Sequence, residues 1–243
     1  MVILTQTTEN VYGKNETDVE LGKKVYQKYC TICHGEKGDG KGLIGIIHRV
    51  EKSGLVWSIY PRDLTVGVFK FRSTPTGYLP TDDDLMKIIE QGIPRAGMPS
   101  HMDVSLGSRK AVMAYIKTFA KRWEEEDAGE SIAAKVPDWL GSPAAVKKGE
   151  DVYKEMKCWE CHGHEGKGDG PKSDDLKDDW GDKILPFDFT SGALKRGSSP
   201  TDIYMTYTTG LDGTGMPSYQ DSLNEEDRWN LCSYTLKLMG RIK

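Results

Sequence analysis

The chain has 243 residues, of which 37% are hydrophobic and 29% are charged, and its formal net charge at pH 7 is −4. This length predicts one large domain or two small ones, with enough apolar content for compact cores. The acidic balance argues against nucleic-acid binding, which usually needs a basic surface. The longest apolar runs are far shorter than the ~20 residues that cross a bilayer, so no transmembrane segment is expected.

Three helices are predicted in the first half of the chain. Thr17 begins a capping-box pattern, and apolar residues follow it at helical spacing as far as Cys33. Thr81 precedes an acidic first turn and Gly92 stops the pattern, which predicts a second helix. The amphipathic segment 106–122 predicts the third.

The second half begins after a stretch with Pro and Gly but no periodicity, 126–145, which predicts a linker. A helix is expected to start near Ala145, and the amphipathic segment 224–239 predicts another. An acidic loop, 174–182, surrounds Trp180 and is interpreted as a solvated turn or, alternatively, as a docking patch. Long alternating patterns typical of strands are missing, so the predicted fold class is all-α.

The two halves repeat each other. The runs Cys30-Thr31-Ile32-Cys33-His34 and Cys158-Trp159-Glu160-Cys161-His162 share a Cys-x-x-Cys-His motif. Shorter matches surround both motifs in the same order, from Gly-x-x-Val-Tyr before them to Gly-Met-Pro-Ser near the end, which indicates a duplicated unit. The predicted organisation is an N-terminal extension at 1–16, a first domain at 17–125, a linker at 126–145 and a second domain at 146–243.

The Cys-x-x-Cys-His motif places three anchors on one face of a helix. Cysteines at i and i+3 lie about one turn apart, and the histidine at i+4 projects beside the second cysteine. This geometry is typical of c-type haem attachment, with two thioether bonds and one axial imidazole. We therefore predict two haem c groups as cofactors, held by Cys30, Cys33, His34, Cys158, Cys161 and His162.

Two other uses of paired cysteines are weaker hypotheses. A zinc site usually has its second pair about 15 to 20 residues after the first, whereas these pairs lie on opposite sides of the linker. A thioredoxin-like redox pair needs a βαβ context, and neither motif follows a predicted strand. Neither alternative explains a histidine after both pairs.

Met98 and Met216 are the candidates for the sixth iron ligand. Each lies between Gly and Pro in a loop, not on the helical stripe where a core methionine is expected. Gly allows the backbone to approach the haem closely and Pro fixes the local backbone, so a thioether can be held against iron. The alternative is that the two methionines pack in the core. The remaining histidines are interpreted as surface or loop residues: His48, His101 and His164.

These motifs resemble the class I c-type cytochromes, here in a tandem dihaem arrangement. The resemblance covers nearly the whole chain outside 1–16 and the linker. It implies two small helical bundles, each with long loops wrapped around one covalently attached haem. It also implies a crossing of the two terminal helices in each domain through a Gly and aromatic residues: Gly22 and Tyr26 with Tyr115, and Gly149 and Tyr153 with Trp229 or Tyr234.

The same resemblance implies four further residues near the haems. Pro61 and Pro186 match the proline whose backbone carbonyl accepts a hydrogen bond from the proximal imidazole. Arg72 and Arg196 are the implied partners of the haem propionates.

The predicted function is electron transfer between redox protein partners, either as a free carrier or as a subunit of a larger oxidoreductase. With both faces of each iron occupied, no substrate can bind the metal, and a soft Met ligand raises the reduction potential. The alternative is a peroxidase-like dihaem enzyme in which one haem has a displaceable sixth ligand. A haem-bearing sensor or structural module is a third possibility.

The resemblance also implies a location. Covalent haem attachment in this family takes place outside the bacterial cytoplasmic membrane, which indicates a periplasmic or otherwise extracytoplasmic protein. The first four residues have neither the basic nor the long apolar part of a secretion signal, so we expect any such signal to have been removed.

Overall fold

The first domain is built on two crossing helices in the computed structural model, which describes residues 16–50 and 56–242. Its helices are α1 (Glu16–Tyr29), α2 (Thr31–His34), α3 (Asp82–Gln91), α4 (Leu106–Lys117) and α5 (Arg122–Glu125). Helices α1 and α4 meet at Gly22, where a Cβ would lie only 2.0 Å from the carbonyl oxygen of Ala111. Beside it, the rings of Tyr26 and Tyr115 pack with their centroids 5.4 Å apart. Only glycine permits this crossing distance.

The second domain repeats this crossing. Its helices are α6 (Pro143–Glu155), α7 (Trp159–His162), α8 (Pro200–Thr209) and α9 (Glu225–Leu238). A Cβ at Gly149 would lie 2.0 Å from the carbonyl oxygen of Asn230, and the Tyr153 and Tyr234 rings pack 5.3 Å apart. Tyr234 is therefore the aromatic residue of this crossing, while Trp229 stacks on a tyrosine of α8. Two predicted all-α bundles are confirmed.

Some helix boundaries follow the predicted caps and others do not: the helix predicted to run as far as Cys33 is interrupted at Cys30, and α6 begins at Pro143 rather than near Ala145. Helix α3 starts after Thr81, whose hydroxyl accepts from the Asp84 amide, and ends before Gly92 as predicted. Helix α1 already includes Glu16, so the predicted cap at Thr17 is wrong by at least one residue. The segment 106–122 does not form one helix. It breaks after α4, where the chain turns so that the Arg122 guanidinium donates to two carbonyl oxygens of an earlier loop.

A short hairpin lies between the first haem motif and Pro61. Strands β1 (Ile47–Val50) and β2 (Val56–Ile59) pair antiparallel, with Ile47 opposite Ile59. The sequence analysis predicts no strand here, because four residues are too few to show an alternating pattern.

The segment 126–145 lies against both domains in turn. The Ile132 amide donates to the Ser73 carbonyl at 2.8 Å, and further along the Gly141 amide donates to the Ser233 hydroxyl at 3.0 Å. The domain limits stay a prediction, and the N-terminal extension lies almost entirely outside the described residues. Within the described part of the chain, no helix is both long enough and apolar enough to span a membrane.

Candidate haem sites

Each Cys-x-x-Cys-His motif forms one helical turn directly after the first long helix of its domain. The His34 amide donates to the Cys30 carbonyl at 2.9 Å, and the His162 amide donates to the Cys158 carbonyl at the same distance. This turn gathers the two cysteines and the histidine on one side, as the spacing predicts.

A backbone carbonyl holds each motif histidine by its Nδ1 atom. His34 Nδ1 lies 3.2 Å from the oxygen of Arg62, and His162 Nδ1 lies 3.2 Å from the oxygen of Phe187. Burial is the largest influence on both imidazoles and lowers the pKa of each. A neutral imidazole that donates Nδ1–H to a carbonyl leaves Nε2 to bind metal.

These two contacts correct the role implied for Pro61 and Pro186. In both domains the accepting carbonyl belongs to the residue after the proline. The proline carbonyls instead face Gly40 and Gly168, where a Cβ would lie 2.8 and 2.7 Å from them. Successive carbonyls of an extended chain point in opposite directions, so only one of the two neighbours can face the imidazole.

A tyrosine hydroxyl ties down the loop after each motif. Tyr26 donates to the Gly35 carbonyl at 2.8 Å, and Tyr153 donates to the Gly163 carbonyl at 2.6 Å. Both bonds run from the long first helix of the domain to the residue after the motif histidine. The proximal side of the two sites therefore has the same hydrogen-bonded frame.

A cavity opens over the motif of the first domain. It has a volume of about 1650 Å³ including its open mouth, and its lining is mainly apolar. The four predicted haem-binding residues of this domain, Cys30, Cys33, His34 and Met98, all line it. His101 lines it too, on the loop that carries Met98, so this histidine is a loop residue that also borders the site.

Met98 and Met216 lie in matching loops. Met98 exchanges backbone hydrogen bonds with Ile93 at 2.9 and 3.2 Å, and the Met216 carbonyl accepts from the Leu211 amide at 3.0 Å. Met216 packs against the second core together with Cys158. Each loop follows the glycine that ends the preceding helix, and in both the methionine carbonyl accepts from the residue after that glycine.

The surroundings of the second histidine are more aromatic. The His162 ring stacks on Phe189 with centroids 4.8 Å apart and an angle of 17°. Leu64, the residue that matches Phe189 in the repeat, lines the cavity of the first domain instead. The hydrogen bonds around the motif histidine are thus the same in both domains, whereas the side chains that surround it differ.

The cysteines have the character of buried thiols. Burial raises the pKa of Cys30 and Cys158 to about 11, whereas reactive redox cysteines have a lowered pKa. The two pairs also belong to separate cores. These observations disfavour the thioredoxin-like and zinc hypotheses.

Arg72 and Arg196 lie at the interface between the domains. Arg72 is 0% exposed and donates to the Thr209 carbonyl and to Asp212, both at 2.8 Å. Arg196 donates to the Thr209 hydroxyl at 3.1 Å and to the Arg72 carbonyl. Both guanidinium groups donate to protein acceptors at this interface, which disfavours the propionate role implied for Arg72 and Arg196.

Other basic side chains line the first cavity. They include Arg62 and Lys70 of the first domain and Lys195 of the second. Burial lowers the pKa of Arg62 to about 10 and that of Lys70 to about 8, because each charge is partly withdrawn from water. Thiols and an imidazole on one turn, a thioether in the same cavity, an apolar lining and nearby cations together fit a haem with its two propionates.

The acidic loop 174–182 reaches the domain interface through Trp180, while most of its acidic side chains stay exposed. Its Trp180 ring lies under the Arg62 guanidinium, 4.6 Å from centroid to Cζ, so the loop joins the domain interface. The sequence analysis misses the roles of Arg62 and Phe187. Backbone carbonyls leave no side-chain signature, and the only available signal was the repeat around Pro61 and Pro186.

Comparisons with known proteins agree with this geometry. Residues 17–116 match the family model described as cytochrome C oxidase, cbb3-type, subunit III, and residues 146–238 match the cytochrome c model. A solved chain of the Kuenenia stuttgartiensis reducing HAO-like protein complex Kustc0457/Kustc0458 is 39% identical with a TM-score of 0.82, over 90% of this chain and 96% of that one. No curated protein matches the chain.

Two cytochrome c models in tandem indicate covalently bound haem and haem-based electron transfer. The level of identity to the solved chain, over nearly the whole length of both, extends this assignment beyond a shared fold. The chain therefore belongs to the cytochrome c family and carries two cytochrome c domains in tandem.

Proposed function

We propose that the protein is a dihaem electron carrier, with His34 and Met98 as the iron ligands of the first domain and His162 and Met216 as those of the second. The observation that carries the proposal is the cavity where Met98 and His34 meet the two motif cysteines. When bound, a haem c supplies an iron centre that changes between the ferric and ferrous states.

The chain's own residues perform the remaining tasks. Cys30, Cys33, Cys158 and Cys161 anchor the two groups, and the Arg62 and Phe187 carbonyls orient the imidazoles. A thioether from each Gly-Met-Pro loop would bind the iron of a loaded haem and so keep substrates from it. Arg62 and Lys70, rather than Arg72, are the proposed propionate partners of the first domain.

Intact-mass measurement of the denatured holoprotein tests covalent attachment. We expect the mass of the polypeptide plus two haems, and loss of one haem in the double variant Cys30→Ala/Cys33→Ala. Cys232→Ala is the matched control, because Cys232 is fully buried in the second core and should leave both haems attached. Extraction of haem into acidified butanone would contradict the proposal.

The proposed partners are redox proteins. The solved relative is part of a protein complex, which supports a role beside other redox subunits. Stopped-flow reduction of the holoprotein by candidate donor proteins, followed at each haem, tests this role. Saturable, protein-specific reduction is expected, and reduction at the same rate by any small reductant alone contradicts it.

A peroxidase-like enzyme is the second candidate, and His101 is the observation that favours it. This side chain lines the first cavity together with Met98, where it is placed to move a proton during turnover. Rapid binding of cyanide or carbon monoxide at one haem of the wild-type protein would support this candidate. Absence of such binding at both haems supports the carrier.

An extracytoplasmic location is also part of the proposal. Its support is the covalent attachment expected at both motifs, which in this family takes place outside the cytoplasmic membrane. Fractionation of native cells followed by haem staining tests it, and a haem-stained band confined to the cytoplasm would overturn it.

A further inference from the structure

Within residues 16–50 and 56–242, two cation–π contacts join the domains, and each involves a residue that holds a proximal histidine. The Arg62 guanidinium of the first domain lies 4.6 Å from the Trp180 ring of the second. The Arg95 guanidinium of the first domain lies 4.6 Å from the Phe187 ring of the second. Arg62 and Phe187 are the two residues whose carbonyls face the Nδ1 atoms of His34 and His162.

We propose that these contacts are crossed clamps, in which Trp180 positions the carbonyl that holds His34 and Arg95 positions the carbonyl that holds His162. Each domain thereby sets the proximal hydrogen bond of the other. The inference rests on the proposed haem ligands and deepens that function by naming two positioning residues that touch neither haem motif.

The first clamp is anchored on both sides. The amides of Trp180 and Asp182 donate to the Asp178 carboxylate at 3.1 and 3.0 Å, which fixes the loop around the indole. The indole also packs on Gly213, where a Cβ would lie 2.7 Å from the ring. The Arg62 side chain therefore contacts an indole whose loop is fixed by its own hydrogen bonds.

The second clamp has hydrogen bonds as well as ring contact. Arg95 donates to the Ser191 hydroxyl at 2.9 Å, and that hydroxyl donates to the Asp188 carbonyl at 2.7 Å. Asp188 directly follows Phe187, so Arg95 is tied to the same short segment at two points. The carbonyl of Phe187 lies between these anchors and the imidazole.

The proximal hydrogen bond matters because it controls the donor strength of the imidazole. Donation of Nδ1–H to a well-placed carbonyl fixes the ring and makes it a more basic ligand, which favours ferric iron. If a clamp is removed, the carbonyl gains freedom and the hydrogen bond weakens. The reduction potential of the haem in the opposite domain should then rise.

Spectroelectrochemical titration of the holoprotein tests the crossed pattern. In Trp180→Leu we expect the ratio of reduced to oxidised first haem at a fixed potential to rise about threefold. At 59 mV per tenfold change for a one-electron couple, this corresponds to a rise of ~30 mV in the reduction potential. The second haem should shift less. Arg95→Met should give the mirror result, with the second haem shifting more. Met98→His, which should lower only the first wave, assigns the two waves.

Matched variants separate positioning from a general loss of packing. Trp139 and Trp180 are both 39% exposed, so Trp139→Leu is the control and should move neither haem. Trp180→Tyr keeps an aromatic face and should restore most of the wild-type potential. Should Trp180→Leu not fold, Trp180→Met keeps a long apolar side chain without an aromatic face and is expected to shift the first haem in the same direction.

A second readout follows the hydrogen bond itself. In protein labelled with ¹⁵N-histidine, the Nδ1–H proton resonance of His34 should move in Trp180→Leu and stay in place in Trp139→Leu. The clamp is refuted if Trp180→Leu moves neither haem, moves both equally, or acts no more strongly than its control. A wild-type protein without two six-coordinate His/Met haems would instead refute the proposed function.

Discussion

The two domains hold their motif histidines by the same hydrogen bonds but surround them with different side chains. The hydrogen bond from Nδ1 to the carbonyl is 3.2 Å in both, and a tyrosine hydroxyl closes the loop after each motif. Around this frame, the first domain has Leu64 and an open cavity, while the second stacks Phe189 on its histidine. The frame is fixed by backbone bonds, so the side chains that line it are free to diverge.

Helices α3 and α8 show the same divergence. Each has ten residues and ends at a glycine, but α3 buries only Leu85 and Ile89, whereas six of the ten residues of α8 are buried. Helix α8 is therefore more enclosed than α3, in part because Arg72 of the first domain lies against its end. Because the apolar shell controls solvent access and hence potential, we expect the two haems to differ in potential although their ligands match.

The largest expected effect comes from the sixth ligands. Met98→Ala and Met216→Ala should each lower the potential of one haem by on the order of 0.2 V, since a soft ligand that favours ferrous iron is lost. Each variant should also bind carbon monoxide at one site. Met113→Leu is the control, because Met113 lines the same cavity as Met98. A shift in the control but not in Met98→Ala would assign the ligand differently.

The helix crossings provide the next test. Gly22→Ala and Gly149→Ala should each lower the free energy of unfolding of their domain by about 3 kcal/mol, because the added Cβ would lie 2.0 Å from a carbonyl oxygen. Chemical denaturation monitored by circular dichroism and haem absorbance measures this loss. Gly107 in α4 has open space around it, so Gly107→Ala should be neutral or slightly stabilising. Unequal losses at the two crossings would show that the domains are not equivalent there.

The interface should contribute less than the crossings. Asp212 accepts from Arg72, from the Thr76 hydroxyl and from the Gly77 amide, so one carboxylate of the second domain holds a whole turn of the first. Asp212→Ala should cost about 2 kcal/mol and separate the unfolding transitions of the two domains. Asp82→Ala, which breaks the ion pair with Lys117 inside the first domain, should leave the transitions together. The reverse pattern would contradict a coupled pair of domains.

The smallest effect concerns acid stability. Burial acts to raise the pKa of Asp202, but hydrogen bonds from Lys87 and Ser199 lower it below its ordinary value. A depressed folded-state pKa gives stability that is present above the unfolded pKa of about 3.9 and is lost as the pH falls through the folded pKa. Lys87→Met should remove roughly 0.5 kcal/mol of it at neutral pH.

Acid titration of unfolding measures that change. Lys147→Met removes an exposed ion pair within one helix and should leave the loss of stability at acid pH unchanged. If Lys87→Met loses stability at acid pH in the same way as the wild type, the Lys87–Asp202 pair does not link the domains energetically.

The sequence by itself determined the chemistry that lies close together along the chain. Two Cys-x-x-Cys-His motifs, the Gly-Met-Pro loops and the cap at Thr81 are local patterns, and each is present where the spacing predicts it. Cytochrome c domains in an all-α fold followed from the same local signals. The hairpin was not predictable, because two four-residue strands carry too little pattern.

Only the tertiary structure decided which carbonyl faces each histidine and which side chains meet across the interface. Arg72 and Arg62 are both basic residues near the first motif in the chain, yet one is sealed at the interface and the other lines the cavity. Trp180 lies more than 100 residues from Arg62 and contacts it only after both domains have folded. Such pairings depend on how two folded surfaces meet, and a backbone carbonyl has no side-chain identity for a sequence pattern to show.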